Sequence, residues 1–311
     1  MLNFPGCFFY ERLLLMKYLK ESLTFEQQAE LLIKRGLIVD DKSFLIDRLS
    51  SINYYRLSAY LFPFRIEGSD NFKQGTKFSD IYHRYTFDRR FRCLIFDAVE
   101  RFETALKTKL VNKFTLKYGP FGYLDIKNFH QFQQSDSDKM QKIIKEDVKH
   151  AEKNEIFVKH FKAKYEDKHL PLWMVSEVIS YGTMLIMFKH LQYHFKQEIA
   201  REFNTQLQVF ESWVLCLSVI RNICAHHARL WNRRLGIKPR IPNPRKHPDW
   251  HGASNEKPFV ILLILNHLLH RCAPKSHWKE RIENLMNEYK DLPLQNMGFP
   301  KDWQSHPLWR N

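Results

Sequence analysis

Glycine is scarce in this sequence, with 10 residues among 311. An all-β protein of this length would need many tight turns, where glycine is common, so its scarcity argues against that class. The five cysteines contain no C-x-x-C pair; they are Cys7, Cys93, Cys216, Cys224 and Cys272. Such scattered cysteines predict no structural zinc site and are typical of a reducing compartment.

Long apolar runs are also lacking. The longest is FVILLILNHLL from Phe259, which is too short to span a bilayer and predicts a buried helix. The first fifteen residues are apolar, but they lack a basic leader and contain Glu11 and Arg12, which argues against a signal peptide. We expect residues 1–15 to be an extension, which is either the product of a misassigned start codon or particular to this protein, and we expect no membrane partner.

Acidic residues are absent from one long stretch. None lies between Glu211 and Asp249, whereas eight basic residues do: Arg221, Arg229, Arg233, Arg234, Lys238, Arg240, Arg245 and Lys246. The whole chain has 49 Lys and Arg against 34 Asp and Glu, a net charge of +15. A protein this basic is expected to attract polyanions such as RNA, DNA or an anionic membrane surface.

The remaining pattern is helical. Hydrophobic residues make up 44% of the chain, and 25 phenylalanines supply a large core. Apolar residues recur at helical spacing, and no alternating strand pattern exceeds a few residues, so the sequence predicts an all-α fold. The predicted regions are an extension at 1–15, an N-terminal helical region at 16–78, a helical core at 79–272 with a charged insertion at about 128–170, and a C-terminal tail at 273–311.

Particular helices can be predicted from their ends. Thr24 and Gln27 form a capping box for a helix that ends at Gly36, and a second short helix follows VDDKS. Helical patterns then cover 52–62, 79–118, 132–168, 170–191, 209–232 and 257–272. The segment GIKPRIPNPRKHP is rich in proline and predicts an extended basic loop.

The segment RNICAHHARLWNRR, residues 221–234, combines an arginine, an asparagine and two histidines. If residues 214–233 are one helix, a polar stripe contains Asn222, His226, Arg229 and Arg233. A mostly apolar stripe on another side contains Ile220, Ile223, His227 and Leu230. The pattern therefore predicts that His226 carries the chemistry and that His227 packs against the protein.

Arg221 and His226 are five positions apart, which is about 140° around an ideal helix. They do not converge within one straight helix, so either the helix is irregular or a second copy completes the site. A histidine can exchange a proton with the RNA 2′-hydroxyl, and an arginine can neutralise a phosphorane. These residues suit RNA cleavage without a metal; the alternative is a basic helix end that only packs and binds phosphates.

Other polar residues have weaker claims. Tyr54, Tyr55, Arg56 and Tyr60 could stack on unpaired nucleotides and hold a phosphate, or the tyrosines could be core residues. Of these four, Arg56 has the strongest claim to a functional role.

Two further groups are predicted to be structural. Glu177 lies in an apolar segment and needs a partner, which could be a motif arginine, unless it lies at a rim; Glu103 has Lys107 at i+4. His267 and His270 have metal-ligand spacing, but no cysteine or carboxylate cluster accompanies them, so we predict no metal.

Two motifs resemble a known family. RNICAHHARLWNR resembles the signature of Abi-like (abortive infection) bacterial proteins, a branch of the HEPN superfamily, and INYYRLSAYLFPFR resembles that family's N-terminal motif. The helix ending at Gly119, with Glu100 and Glu103, and the segment LWMVSEVISYG are similar to its middle blocks. The resemblance covers about residues 16–270.

The resemblance implies a HEPN-like helical bundle that forms a cytoplasmic homodimer and acts in phage defence. Arg221, Asn222 and His226 would form a metal-independent endoribonuclease site without a cofactor, with His227 as an alternative to His226. RNA would also contact Arg56, Tyr60, His227, Arg229, Arg233, Arg234, Lys238 and Arg240. Some relatives bind RNA without cleaving it, so a module holding a structured small RNA is the alternative.

Overall fold

Helices dominate the part of the chain that the computed structural model describes, residues 21–310. Thirteen α-helices and no β-strand occur in that range, which confirms the predicted all-α class. The residues form two compact units, with the boundary between Tyr82 and His83. The predicted extension at 1–15 lies outside the described residues.

The first unit contains three helices and the beginning of a fourth: α1 Phe25–Lys34, α2 Lys42–Ile52, α3 Tyr54–Leu61 and the first residues of α4 Phe78–Tyr118. The predicted capping box is confirmed at α1, because the Thr24 hydroxyl accepts the Gln27 N–H and the Gln27 side chain accepts the Thr24 N–H. Gly36, at φ 93°, follows the helix as predicted. The α3 pattern also stops where predicted, with a 3-10 turn at Phe62–Phe64.

The second unit contains most of α4 and nine further helices. These are α5 Gln134–Asn154, α6 Ile156–Lys164, α7 Leu172–Val178, α8 Tyr181–Lys189, α9 Tyr193–Glu202, α10 Leu207–Ala225, α11 Phe259–Cys272, α12 Trp278–Glu288 and α13 Pro307–Arg310.

The core of the second unit is built on α4. Its apolar stripe has the predicted helical period and is fully buried at Phe87, Phe91, Ile95, Ala98, Phe102, Leu106 and Leu110. Phe102 packs edge-to-face on Phe203 and Phe210, which follow α9 and belong to α10 respectively. The Trp278 indole of α12 donates a hydrogen bond to the Leu94 carbonyl of α4 at 2.7 Å. The Phe102–Phe210 contact packs α10 against α4, where the site described below lies.

The single helix predicted for 170–191 is wrong. The chain forms α7 and α8, and Ile179 between them is extended, with ψ 151°. The break is stabilised locally by Ser180, whose hydroxyl accepts the Thr183 N–H and so caps the beginning of α8.

Helix α10 is long and apolar enough to cross a membrane by length and composition. Ten of its nineteen residues are buried in the second unit, as in a core helix. In the sequence, α10 does not stand out as a continuous apolar run, because Glu211, Ser212 and Ser218 interrupt it.

The predicted extended basic loop is confirmed between α10 and α11. Residues 226–247 contain no helix, and the loop returns along α10. The Cys216 thiol donates to the Ile237 carbonyl at 3.2 Å, and the Trp213 indole donates to the Arg240 carbonyl at 2.8 Å.

Candidate functional site

Helix α10 ends inside the polar motif, at Ala225. The His227 N–H donates to the Cys224 carbonyl at 3.0 Å, and the Ala228 N–H donates to the Ile223 carbonyl at 2.9 Å. This pair of hydrogen bonds is the Schellman motif, which requires a left-handed residue after the C-cap. His227 has that conformation, with φ 55°. The predicted continuous helix over 214–233 is therefore wrong.

The two histidines occupy different backbone positions but are both exposed. His226 is the C-cap, and its N–H still bonds the Asn222 carbonyl at 2.9 Å, so these two residues share one helical face as predicted. His227 does not belong to an apolar packing stripe, because its left-handed backbone turns the chain out of the helix. Arg229 and Arg233 leave the Asn222 stripe for the same reason.

A buried carboxylate holds the chain after this turn. Asp88 of α4 accepts the Trp231 N–H at 2.7 Å and the Leu230 N–H at 3.2 Å, and it forms an ion pair with Arg92. The Asp88 and Arg92 side chains are 0% and 5% exposed, so the carboxylate is shielded and well partnered. We call Asp88, Arg92 and the two bonded amides the Asp88 clamp.

Packing reinforces the Asp88 clamp. Leu230 and Trp231 are buried, and the Trp231 ring lies edge-to-face on Phe87 at 5.5 Å. Sequence reasoning missed Asp88 and Arg92. Their only sequence signal was an i,i+4 acid–base pair beside the apolar stripe of α4.

Arg221 faces inward, toward α4. Its Nε lies 3.7 Å from Oε2 of Glu103, which is too long for a hydrogen bond, and its guanidinium carbon lies 5.7 Å from the centre of the Phe96 ring. The side chains of Arg221 and Glu103 are 34% and 17% exposed. Glu103 thus faces the motif arginine, whereas Glu177 is exposed and accepts a bond from the Ser176 hydroxyl.

The Arg221–Glu103 contact leaves polar atoms unsatisfied. Arg221 Nε and the hydroxyl of Tyr181, on α8, are buried and have no hydrogen-bond partner among the described residues. Burial raises the pKa of Glu103, although the neighbouring Arg221 opposes that rise. Burial also raises the pKa of Tyr181, with Glu103 adding to the rise and Arg221 opposing it. We call Arg221, Glu103 and Tyr181 the arginine pocket.

One stripe of α10 stays open toward solvent. Leu215 is 53% exposed, Val219 is half-buried, and Asn222 and His226 are exposed. Their spacing of i, i+4, i+7 and i+11 places them on one helical face. We call these four residues the α10 stripe. Arg221 points about 140° away from His226 on the same helix, so one copy of the chain does not bring their side chains together through helix geometry.

The basic segment after the motif is fixed by backbone contacts. The Arg233 guanidinium donates to the Arg229 carbonyl at 3.0 Å, and the Arg240 N–H donates to the Ser212 hydroxyl at 2.9 Å. Arg234 and Arg240 have exposed side chains. Lys238 forms an ion pair with Glu256 at 2.5 Å, which lowers the pKa of Glu256. The stretch without acids is thus partly neutralised by a residue that follows it.

The remaining predicted RNA contacts lie on α3, in the first unit. Arg56 is half-buried, and Tyr55 is 85% exposed. Tyr60 is 3% exposed, so its ring offers no open face for base stacking. The prediction that Tyr60 stacks on RNA is inconsistent with this burial.

Among residues 21–310, no three or more His, Cys, Asp or Glu side chains are grouped so that they could hold a metal ion. His267 is instead a half-buried residue, whose Nε2 lies 2.9 Å from the Phe203 carbonyl oxygen and 3.2 Å from the Thr205 hydroxyl. Burial lowers the pKa of this imidazole.

The fold and the site together define an all-α protein whose polar motif ends a core helix beside a basic loop. The sequence model of the Abi-like protein family matches residues 47–232, so the chain belongs to this family. Membership suggests a role in abortive-infection phage defence. The match includes the arginine pocket, the α10 stripe and the Asp88 clamp, and it ends before most of the basic loop. No curated protein and no solved structure matches the chain.

Proposed function

We propose that this protein is a metal-independent endoribonuclease of abortive-infection defence, with Arg221, Asn222 and His226 at its centre. The observation that carries the proposal is the end of α10. Asn222 and His226 are exposed one turn apart on the same face, and Arg221 lies in the turn that holds Asn222.

The reaction is an internal transfer at phosphorus. The RNA 2′-oxygen attacks the neighbouring phosphorus, the bond to the 5′-oxygen breaks, and the products carry a 2′,3′-cyclic phosphate and a 5′-hydroxyl. His226 moves the proton at one of these oxygens, Arg221 neutralises the charge that builds on phosphorus, and Asn222 orients a phosphate oxygen. The need for a 2′-hydroxyl restricts the substrate to RNA.

A homodimer would allow Arg221 and His226, which diverge within one chain, to meet across two copies. The α10 stripe presents the exposed Leu215 and the half-buried Val219 beside Asn222 and His226. A two-fold pairing of these stripes would bury the apolar half and bring the end of α10 that carries Arg221 in one copy close to His226 of the other. The inward-facing guanidinium of Arg221 would have to turn outward when RNA binds.

The direct test is cleavage of total RNA in the presence of EDTA, with chemical mapping of the ends. Wild type is expected to give products with 2′,3′-cyclic phosphate, and His226→Ala is expected to lose at least about 100-fold in rate. His227→Gly is the matched control, because glycine accepts the left-handed backbone at that position. Equal cleavage by wild type and His226→Ala would reject the role of His226, and loss of cleavage in His227→Gly alone would transfer it to His227.

A second candidate function is RNA binding without cleavage. It is favoured by the exposed Arg234 and Arg240 on a segment anchored to α10. A discrete small RNA that co-purifies in stoichiometric amount, with no cyclic-phosphate product, would support this function. Its affinity should fall steeply with salt, because phosphate contacts release counterions.

A further inference from the structure

The arginine pocket is an incompletely satisfied ion pair. Arg221 Nε and Glu103 Oε2 are 3.7 Å apart, and no hydrogen bond joins them. Buried charges are stabilised when hydrogen bonds complete the pair, and an unmade bond on a buried polar group costs free energy. Two such atoms, Arg221 Nε and the Tyr181 hydroxyl, are buried here without partners.

The inward position of Arg221 also conflicts with phosphate binding. Its Nε is buried and the guanidinium lies near Phe96 and Glu103, although 34% of the side chain remains exposed. A phosphate is a better partner for a guanidinium, since it can accept two parallel hydrogen bonds. Arg221 therefore has a loose internal partner and a stronger external one.

We propose that Glu103 is an internal counter-ion that competes with RNA phosphate for Arg221, so that the arginine pocket sets how readily the site engages RNA. The inference rests on the proposed function, since it requires Arg221 to contact RNA. In the resting chain the carboxylate holds the guanidinium inward. RNA binds by drawing Arg221 out of the pocket, which leaves Glu103 beside Lys107 on the same helix.

The proposal predicts that Glu103 opposes RNA binding. Glu103→Gln keeps the side-chain shape and removes the charge, so RNA should bind about three- to tenfold more tightly. Glu100→Gln is the matched control, because it removes the same charge from the same helix at an exposed position. A purely structural role for Glu103 would weaken binding or leave it unchanged.

The test measures the dissociation constant of a single-stranded RNA oligonucleotide at fixed salt, with every variant carrying His226→Ala to prevent cleavage. Circular dichroism and thermal unfolding check that each variant is folded. We expect Glu103→Gln to bind more tightly than Glu100→Gln, and we expect this gain to vanish when Arg221→Ala is added.

Three outcomes would overturn the proposal. If Glu103→Gln binds no more tightly than Glu100→Gln, Glu103 does not compete. If the gain persists with Arg221→Ala, the competition is not for Arg221. If Arg221→Ala alone leaves RNA affinity unchanged, the proposed role of Arg221 fails and the inference fails with it; the first two outcomes leave the proposed function standing.

Discussion

At the scale of single residues, the left-handed backbone of His227 determines how the motif is displayed. The Schellman motif places this residue at φ 55°, where glycine is usual and a side chain is strained. The exposed His226 and the outward turn of the chain both depend on this local conformation.

The strain at His227 can be measured with two substitutions that both remove the imidazole. We expect His227→Gly to be about 1 kcal/mol more stable than His227→Ala, because only glycine adopts the left-handed region without a steric cost. Urea unfolding gives the difference in free energy of unfolding. Equal stabilities of the two variants would mean that position 227 is not held in this conformation.

Glu103 should lower the stability of the folded chain when it is ionised. Burial raises its pKa in the folded state, so the folded state binds more protons and stability falls as pH rises through that pKa. We expect Glu103→Gln to have a higher Tm than wild type at pH 7, and the gap should narrow toward pH 4. Glu100→Gln removes the same charge at an exposed position and is the control, for which we expect no such difference in Tm. A lower Tm for Glu103→Gln than for wild type at pH 7 would contradict the prediction that ionised Glu103 is destabilising.

The sequence predicted part of this residue-scale picture. Helix spacing alone placed Asn222 and His226 on one face and Arg221 on another. It misplaced His227, because no glycine marks the left-handed turn. It paired Glu103 with its helix neighbour Lys107, since a contact with Arg221, which is 118 positions away, depends on how α4 and α10 pack.

At the scale of elements, the Asp88 clamp joins the end of the motif to α4. Removing the carboxylate takes away the ion-pair partner of Arg92, whose side chain is 5% exposed, and leaves the Leu230 and Trp231 N–H groups without their acceptor. We expect Asp88→Ala to lower the free energy of unfolding by about 3–5 kcal/mol, measured in urea. Adding Arg92→Met should recover part of the loss, since it removes the buried charge that Asp88 balanced. A loss below about 1 kcal/mol would show that the clamp is not stabilising.

Asp97 links α4 to α12 and should show the opposite dependence on pH from Glu103. Burial disfavours its ionisation, but hydrogen bonds from Arg101 and Arg281 outweigh burial and lower its pKa. The stability it contributes is present at neutral pH and is lost as pH falls through its folded-state pKa. We expect Asp97→Asn to have a lower Tm than wild type at pH 7, and the two to converge below about pH 4. A constant gap down to pH 3 would contradict this assignment.

Most helices could be predicted because apolar residues recur at helical spacing and because caps such as Thr24 are visible in the sequence. The breaks at Ile179 and after Ala225 could not. Both interrupt sequences that continue a helical pattern, and neither contains a proline or lies at a glycine. The Ser180 cap and the Asp88 clamp decide those ends, and the second of these is a tertiary contact.

At the scale of the whole molecule, the proposed site requires two copies. The α10 stripe should lie in the contact between them, so we expect Leu215→Glu to shift a dimer toward monomer in sedimentation experiments. Leu116→Glu is the matched control. It makes the same substitution at a leucine on α4 that is 80% exposed and lies outside the α10 stripe. A wild-type chain that is monomeric at micromolar concentration would contradict the two-copy site.

Composition and helical periodicity could predict the all-α fold, because apolar residues recur at helical spacing along most of the chain. The polyanionic partner expected from the net charge stays a prediction. Pairing between copies could not be derived from the residues alone. Helix geometry shows only that Arg221 and His226 diverge within one chain, and the proposed contact surface has no sequence signature beyond the exposed Leu215 and the half-buried Val219.

The most direct measurement of the central claim combines two inactive variants. Arg221→Ala and His226→Ala are each expected to lose RNA cleavage. Mixed and allowed to exchange subunits, they should recover about one quarter of wild-type activity, because half of the dimers are mixed and each mixed dimer contains one intact site of two. Recovery would show that arginine and histidine from different copies cleave RNA together. No recovery, when differently tagged subunits are shown to pair, would contradict the composite site.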